Sequence, residues 1–247
     1  MVKQPLRAPR TALTSAAHIL RALKRLGRRR DAKILQWFFK TGPGEYGEGD
    51  VFAGIRVPAI RKLAREFQAA DAQAVATLLN SKIHEARLLA LLILVRQFEQ
   101  GSAKDRRRIY RFYLAHADRI NNWDLVDLSA PNIVGAHLLD RDRSLLDRLA
   151  RSESVWQRRI AIVATHAFIR RGQFDDTLRI ADRLRADAHD LIHKAVGWML
   201  REVGKRNQPK LERFLRPRCR TLPRTTLRYA IERFPETRRR AYLRGKV

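Results

Sequence analysis

Between Pro58 and Pro209 the chain meets a single proline, Pro131, and few glycines. A stretch of that length without helix breakers, with apolar residues recurring at i, i+3, i+4 and i+7, reads as a succession of helices. The segments DAQAVATLLN, IHEARLLALLILVRQFEQ, KDRRRIYRFYLAHA, SLLDRLARS, VWQRRIAIVATHAFIRR, DDTLRIADRLRA and LIHKAVGWMLREV all carry that period. Convincing strand alternation is absent throughout. The predicted fold class is all-α.

The predicted helices fall into pairs, a shorter one followed by a longer one. LLNSKIHEARLLALLIL, LARSESVWQRRIAIVAT and LRADAHDLIHKAVGWML share one plan: a helix end, a short polar link, then Arg or Lys ahead of an apolar run. Matching Ala161 to Gly197 gives an offset of 36, and matching Ala90 to Ala161 gives 71, close to two such units. A helical pair of this length predicts an α-solenoid of the HEAT or armadillo kind, whose second helices line a concave face. The expected layout is a basic segment with a first helix over residues 1–30, the helical-repeat domain over 31–235, and a basic C-terminal tail over 236–247.

Charge narrows the partner. The chain holds 52 Lys and Arg against 25 Asp and Glu. Residues 1–30 contain nine of these cations and no acid, and residues 205–247 contain fifteen against three. Like charges at this density repel unless a polyanion neutralises them, which points to nucleic acid and a basic groove. An anionic membrane fits less well, because the basic ends lack an amphipathic helix faced with Trp or Phe. The acid-free N-terminus has the composition of a nucleic-acid arm and equally of an organelle transit peptide. Cys219 is the only cysteine, so no intrachain disulfide forms and a reducing, cytoplasmic home is expected. The longest apolar run, LLALLILV at 88–95, is too short to span a bilayer.

Several segments resemble sites and fall short of them. TGPGEYGEGDVFAGIRVP (41–58) is rich in glycine, but no Gly-Lys-Ser/Thr closes it, and Glu45, Glu48 and Asp50 would repel phosphate. It reads as a structured connection. His189 and His193 have the spacing of a zinc-protease helix but enclose Asp190 where that motif needs Glu, and no third ligand follows. Capping and packing roles are expected there, with no metal and no cofactor. Cys219 stands between two arginines, yet no His is near it in sequence to make it a nucleophile.

NNWDLVDLSAPN (121–132) places Trp123 and Asp127 four apart, on one side of a helix. Pro131 has no N–H to offer the Asp127 carbonyl, so the helix should kink or loosen there. The spacing alone fits a core aromatic beside a surface-paired acid as well as it fits a site. Arg159 and Trp198 fall on the long second helices of later repeats, so a solenoid could gather two Trp, one Asp and one Arg from three successive repeats.

FFKTGPGEYGEGDVFAGIRVPAIRKLA, IHEARLLALLIL, NNWDLVD, WQRRIAI and KAVGWMLRE together resemble the AlkD family of DNA alkylation-repair glycosylases, over about residues 35–230. The resemblance implies a HEAT-like solenoid holding duplex DNA in a basic concave groove, and hydrolytic removal of N3- and N7-alkylated purines. The family's active-site pattern falls on Trp123, Asp127, Arg159 and Trp198, with none missing. Asp127 would stabilise the developing sugar cation and position water. The two Trp would wall the sugar. Arg159 would meet a flanking phosphate, or pair with Asp127. Only the Arg-rich termini depart from the family. Candidate phosphate contacts, from their positions on presumed second helices, are Arg158, Lys194, Arg201 and Arg228. The expected partner is double-stranded DNA containing alkylated purines, bound by a monomer. The rival expectation is a non-catalytic HEAT-repeat protein that binds DNA or RNA structure.

Overall fold

In the computed structural model, which describes residues 14–247, the apolar period of the sequence is realised as helices. The first part of the basic arm, residues 1–13, lies outside the described residues. In chain order the helices are α1 (Ala16–Lys24), α2 (Arg29–Phe38), α3 (Val57–Glu66), α4 (Ala72–Leu79), α5 (His84–Gln100), α6 (Ala103–Ala115), α7 (Trp123–Ala130), α8 (Ser144–Ala150), α9 (Val155–Ala164), α10 (His166–Ile169), α11 (Asp175–Arg183), α12 (Asp190–Arg206), α13 (Gln208–Leu215), α14 (Arg224–Ala230) and α15 (Glu236–Arg244). Among the described residues the only β pairing is an isolated bridge between Val51 and Ile83. None of the described helices is long and apolar enough to cross a membrane.

The shorter-then-longer pairing is present. The eight residues of α4 precede the seventeen of α5, and the nine of α11 precede the seventeen of α12. Side chains fix several of the starts. Asp71 accepts the Ala74 N–H at 2.7 Å, and Ser102 with Asp105 forms a capping box at α6. Each such cap satisfies helix N–H groups that have no partner within the helix, and is worth about 1 kcal/mol.

The chain divides between Leu125 and Val126 into two compact units. In the first, α5 is the central element. Its residues Leu88 to Val95 are all buried, and α3, α4 and α6 pack around it. In the second, α12 lies against α9, α13 and α14. Burying one Leu or Ile side chain contributes about 1.5–3 kcal/mol, so these central helices hold most of each core.

Three places depart from simple helices. After α7 the backbone widens into a π-turn, Pro131–Gly135, where the Ala136 N–H reaches back to the Pro131 carbonyl. The missing N–H of Pro131 removes a regular helix bond, and the wider turn re-pairs the chain. The helix expected over 155–171 is broken at Thr165. Its hydroxyl donates to the Ile162 carbonyl at 2.6 Å and its N–H turns to the same oxygen, so the side chain competes with the helix ladder. Residues 236–247, set apart in sequence as a basic tail, contain α15, with Tyr242 buried.

The glycine-rich connection is structured, as expected. Glu45 and Glu48 accept loop N–H groups, and the Glu85 carboxylate of α5 accepts three in a row, from Ala53, Gly54 and Ile55. Its acids hold the loop together.

The π-turn packs hard against the end of α9. A methyl group on Gly135 would stand 2.1 Å from the Ala164 carbonyl oxygen and 2.8 Å from the Ala167 side chain. Gly135→Ala should therefore destabilise the protein by about 2 kcal/mol or more, as forced overpacking does. Urea unfolding checks this: an unchanged midpoint would mean that the turn yields without cost.

Candidate active site

The helix α7 carries Trp123 and Asp127 one turn apart, but the division after Leu125 assigns Trp123 to the first unit and Asp127 to the second. Each half has its own supporting structure.

In the second unit Asp127 and Arg159 face each other. Arg159 Nε donates to Asp127 Oδ1 and Nη2 donates to Oδ2, both at 2.8 Å. The third arm, Nη1, donates to the Leu191 carbonyl in the first turn of α12 at 2.5 Å. The guanidinium is thus held by α7 and α12 at once, in the planar fork geometry that suits a carboxylate. Of the two roles expected for Arg159, it makes the ion pair. The Arg159 side chain is 6% exposed and that of Asp127 is 15% exposed. The acid is oriented by its partner and keeps a small exposed area.

Trp198, half-buried on α12, has its ring 5.9 Å from His166. Burial and the nearby Arg170 charge hold His166 below the ordinary imidazole value, so a neutral ring borders this Trp at neutral pH. Next to it, Gly197 lets α14 approach closely: a Cβ there would lie 2.7 Å from the Thr226 carbonyl oxygen.

In the first unit Trp123 is the end of an aromatic stack. Phe39 lies parallel to it at 5.1 Å, Phe52 stacks on Phe39 at 4.9 Å, and His84 stacks on Phe52 at 4.5 Å. Beneath the stack is a buried ionic cluster. His84 Nε2 is 2.8 Å from Asp124 and Nδ1 is 3.0 Å from Asp50, whose other oxygen accepts from Arg87 at 2.6 Å. Two carboxylates and two cations balance inside the fold, which a buried charge requires. Burial alone would lower the His84 pKa, but Asp124 and Asp50 outweigh it and raise it to about 9. Burial likewise opposes the ionisation of Asp50, and His84 with Arg87 overcomes it and holds that carboxyl below its usual range.

The other expected residues are scattered in role. Arg158 is fully engaged: Nε and Nη2 donate to Asp187, at 2.6 and 3.3 Å, and Nη1 donates to the Ser152 and Glu153 carbonyls. It braces the link before α9. Lys194 pairs with Asp190 at 2.7 Å and is half-exposed, and Arg201 pairs with Glu232. Arg228 is exposed at the end of α14. His189 caps α12 by accepting the Leu191 N–H at 3.1 Å, and His193 bonds the Asp187 carbonyl at 2.5 Å. Both have the structural roles expected of them. Among the described residues no cluster of His, Cys, Asp and Glu is arranged to hold a metal.

Sequence reading missed His84, Asp50 and Phe39. A histidine opening a helix with a long apolar run and an aspartate within the glycine-rich loop were visible signals, but nothing local joins residues 34 apart.

The family model described as DNA alkylation repair enzyme matches residues 19–234. A predicted DNA alkylation repair enzyme from Enterococcus faecalis superposes with a TM-score of 0.64 at 18% identity, covering 85% of this chain and 97% of its own. AlkD2 from Streptococcus mutans superposes with a TM-score of 0.51 at 15% identity, covering 90% of this chain and all of its own. At these identities the two likenesses speak for a shared fold. No curated protein matches the sequence.

The His84 cluster predicts a pH-dependent stability. Its folded pKa of about 9 lies above the ordinary 6.5, so the folded state holds the proton more tightly than the unfolded chain. The resulting stability is fully present below pH 6.5 and is lost as the pH rises through about 9; it amounts to about 3 kcal/mol. Urea unfolding across that window should show the loss in wild type and little of it in His84→Gln. Parallel curves for the two proteins would contradict the assignment.

Proposed function

Because the chain belongs to the DNA alkylation repair enzyme family, we propose that it is a DNA glycosylase for purines alkylated at N3 or N7, with Asp127 as its one catalytic carboxylate. The observation that carries this reading is the bidentate Arg159–Asp127 pair, an acid oriented on both oxygens yet left partly open.

The chemistry suits a single acid. Glycoside hydrolysis ordinarily takes two carboxyls, one of them to protonate the leaving group. A purine alkylated at N3 or N7 already carries a positive charge. When its bond to the sugar C1′ breaks, the electron pair goes to the base and neutralises it. Positive charge then builds on the sugar, where the Asp127 carboxylate stabilises it. Water adds to C1′ and gives up one proton, for which Asp127 is the local acceptor. The products are a neutral alkylpurine and an abasic site. Trp123 and Trp198 wall the sugar, since their π faces favour positive charge. Arg159 does not bind substrate in this reading; it keeps the carboxylate in register through α12.

Lys194, Arg201 and Arg228 are the proposed phosphate contacts. Arg158 is left out, because its donors are already engaged. No lysine takes the part of a Schiff-base nucleophile, so the strand stays intact. The enzyme acts as a monomer on double-stranded DNA, without metal or cofactor, in the cytoplasm at the nucleoid. The other reading, a non-catalytic binder of DNA or RNA structure, shares the salt-sensitive binding but not the base release.

Wild type should release free base from duplex DNA carrying 7-methylguanine or 3-methyladenine. Asp127→Asn should lower that release about a hundredfold or more while DNA binding persists, the scale of losing a transition-state electrostatic contact. Binding without release in both proteins would leave the non-catalytic reading. A strand nick made by purified enzyme, without added base or lyase, would remove the monofunctional assignment.

A further inference from the structure

Three contacts in the second unit repeat one interval. Asp127 meets Arg159, and Arg159 meets the Leu191 carbonyl, each pair 32 residues apart. His166 and Trp198, whose rings lie 5.9 Å apart at 50°, have the same separation. His166 follows Arg159, and Trp198 follows Leu191, by about two helical turns. The arginine that orients Asp127 and the imidazole beside Trp198 thus lie on neighbouring rungs of one ladder, about 10 Å apart along the helices. Both rings of the second rung are half-buried, so solvent protons reach them. The charges acting on His166 are Arg170, at the end of its own segment, and Glu202, Lys205 and Arg206 on α12. Glu202 is buried and pairs with Lys205 at 2.7 Å, which leaves cations in excess. The π-turn packed against α10 carries no charge, and the two arginines of α9 are engaged with Asp187 and Asp127. The acids of α11, Asp175, Asp176 and Asp182, pair with Lys210, Arg143 and Arg218. Among these groups no carboxylate is left over to hold an imidazolium.

We infer that the protonation state of His166 decides whether the Trp198 ring is open to a second cation. A neutral imidazole leaves the π face of Trp198 free. An imidazolium sets its own positive charge within cation–π range of that ring, about 6 Å, and repels any other cation there. Burial, and after it the Arg170 charge, hold His166 below its ordinary value of 6.5. The ring is therefore neutral and Trp198 open at neutral pH, and the face closes as the pH falls. His166 takes no part in breaking a bond; it acts through Trp198. That this governs catalysis rests on the glycosylase reading, in which Trp198 faces a sugar that gains positive charge. The coupling of the two rings does not rest on it.

The test compares wild type, His166→Phe, His166→Arg and Trp198→Phe, at and below pH 6.5. Two quantities are followed: tryptophan emission, and single-turnover release of 7-methylguanine from duplex DNA. Wild-type emission should fall as His166 takes up its proton, because an imidazolium quenches a neighbouring indole. His166→Phe and Trp198→Phe should both lose that titration. Release by wild type should slow about 3- to 30-fold through the same window, the scale of one cation–π contact. His166→Phe should hold its neutral-pH rate there. His166→Arg, charged at every pH, should be slow at neutral pH, with circular dichroism checking that it is folded; if it is not, the Phe variant decides. An emission titration that survives in His166→Phe overturns the inference. So does an acid loss of release that is equal in wild type and His166→Phe, which would leave the glycosylase reading standing. No release by wild type at any pH, with the emission titration present and lost in both ring variants, sinks the glycosylase reading and leaves the coupled rings.

Discussion

A half-buried carboxylate, in a chain with twice as many cations as acids, is held by whichever cation meets both of its oxygens. For Asp127 that cation is Arg159. Its planar fork engages both oxygens at 2.8 Å, and its remaining arm is anchored on the backbone of α12. A lysine could supply the charge but not the planar fork that engages both oxygens at once, so it would leave the carboxylate freer to rotate. The orientation of Asp127 thus depends on how α7, α9 and α12 are packed. Gly135 and Gly197 matter to the site for the same reason, since each permits a close helix approach beside it.

The other acids follow a related economy of charge. In the second unit Asp176 pairs with Arg143, Asp187 with Arg158, and Asp182 with Arg218, in each case joining residues 29 to 36 apart. That interval is close to one helical pair, so the braces link neighbouring repeats. In the first unit Asp50 and Asp124 are drawn inward to His84 and Arg87. Each of these acids takes a cation with it, so the excess of Lys and Arg over Asp and Glu is carried by the remaining side chains. A polyanionic partner is the natural consequence.

The His84 cluster supports Trp123 through two layers, ionic below and aromatic above. Breaking a buried pair by removing one member costs several kcal/mol, because the other charge is stranded. The stack of His84, Phe52, Phe39 and Trp123 therefore rests on a base that is costly to disturb at neutral pH. Trp37, one residue before Phe38 on the same helix, has no such support and stands in solvent.

What the sequence determined by itself was local. The apolar period set the helices and their pairing, the missing N–H of Pro131 set the loosening after α7, and the family motifs singled out Trp123, Asp127, Arg159 and Trp198. Each of these follows from residues within a few turns of one another, or from a pattern carried along the chain. The tertiary structure decided the partners. Arg158 and Arg159 are adjacent and chemically identical, yet one braces Asp187 and the other orients Asp127. Only packing tells them apart, because neighbours on a helix point about 100° apart and so meet different elements. The partners of His84, 34 and 40 residues away, were hidden for the same reason. Trp37 reads in sequence like any core aromatic; its exposure appears only in the tertiary structure, where no helix among the described residues covers it.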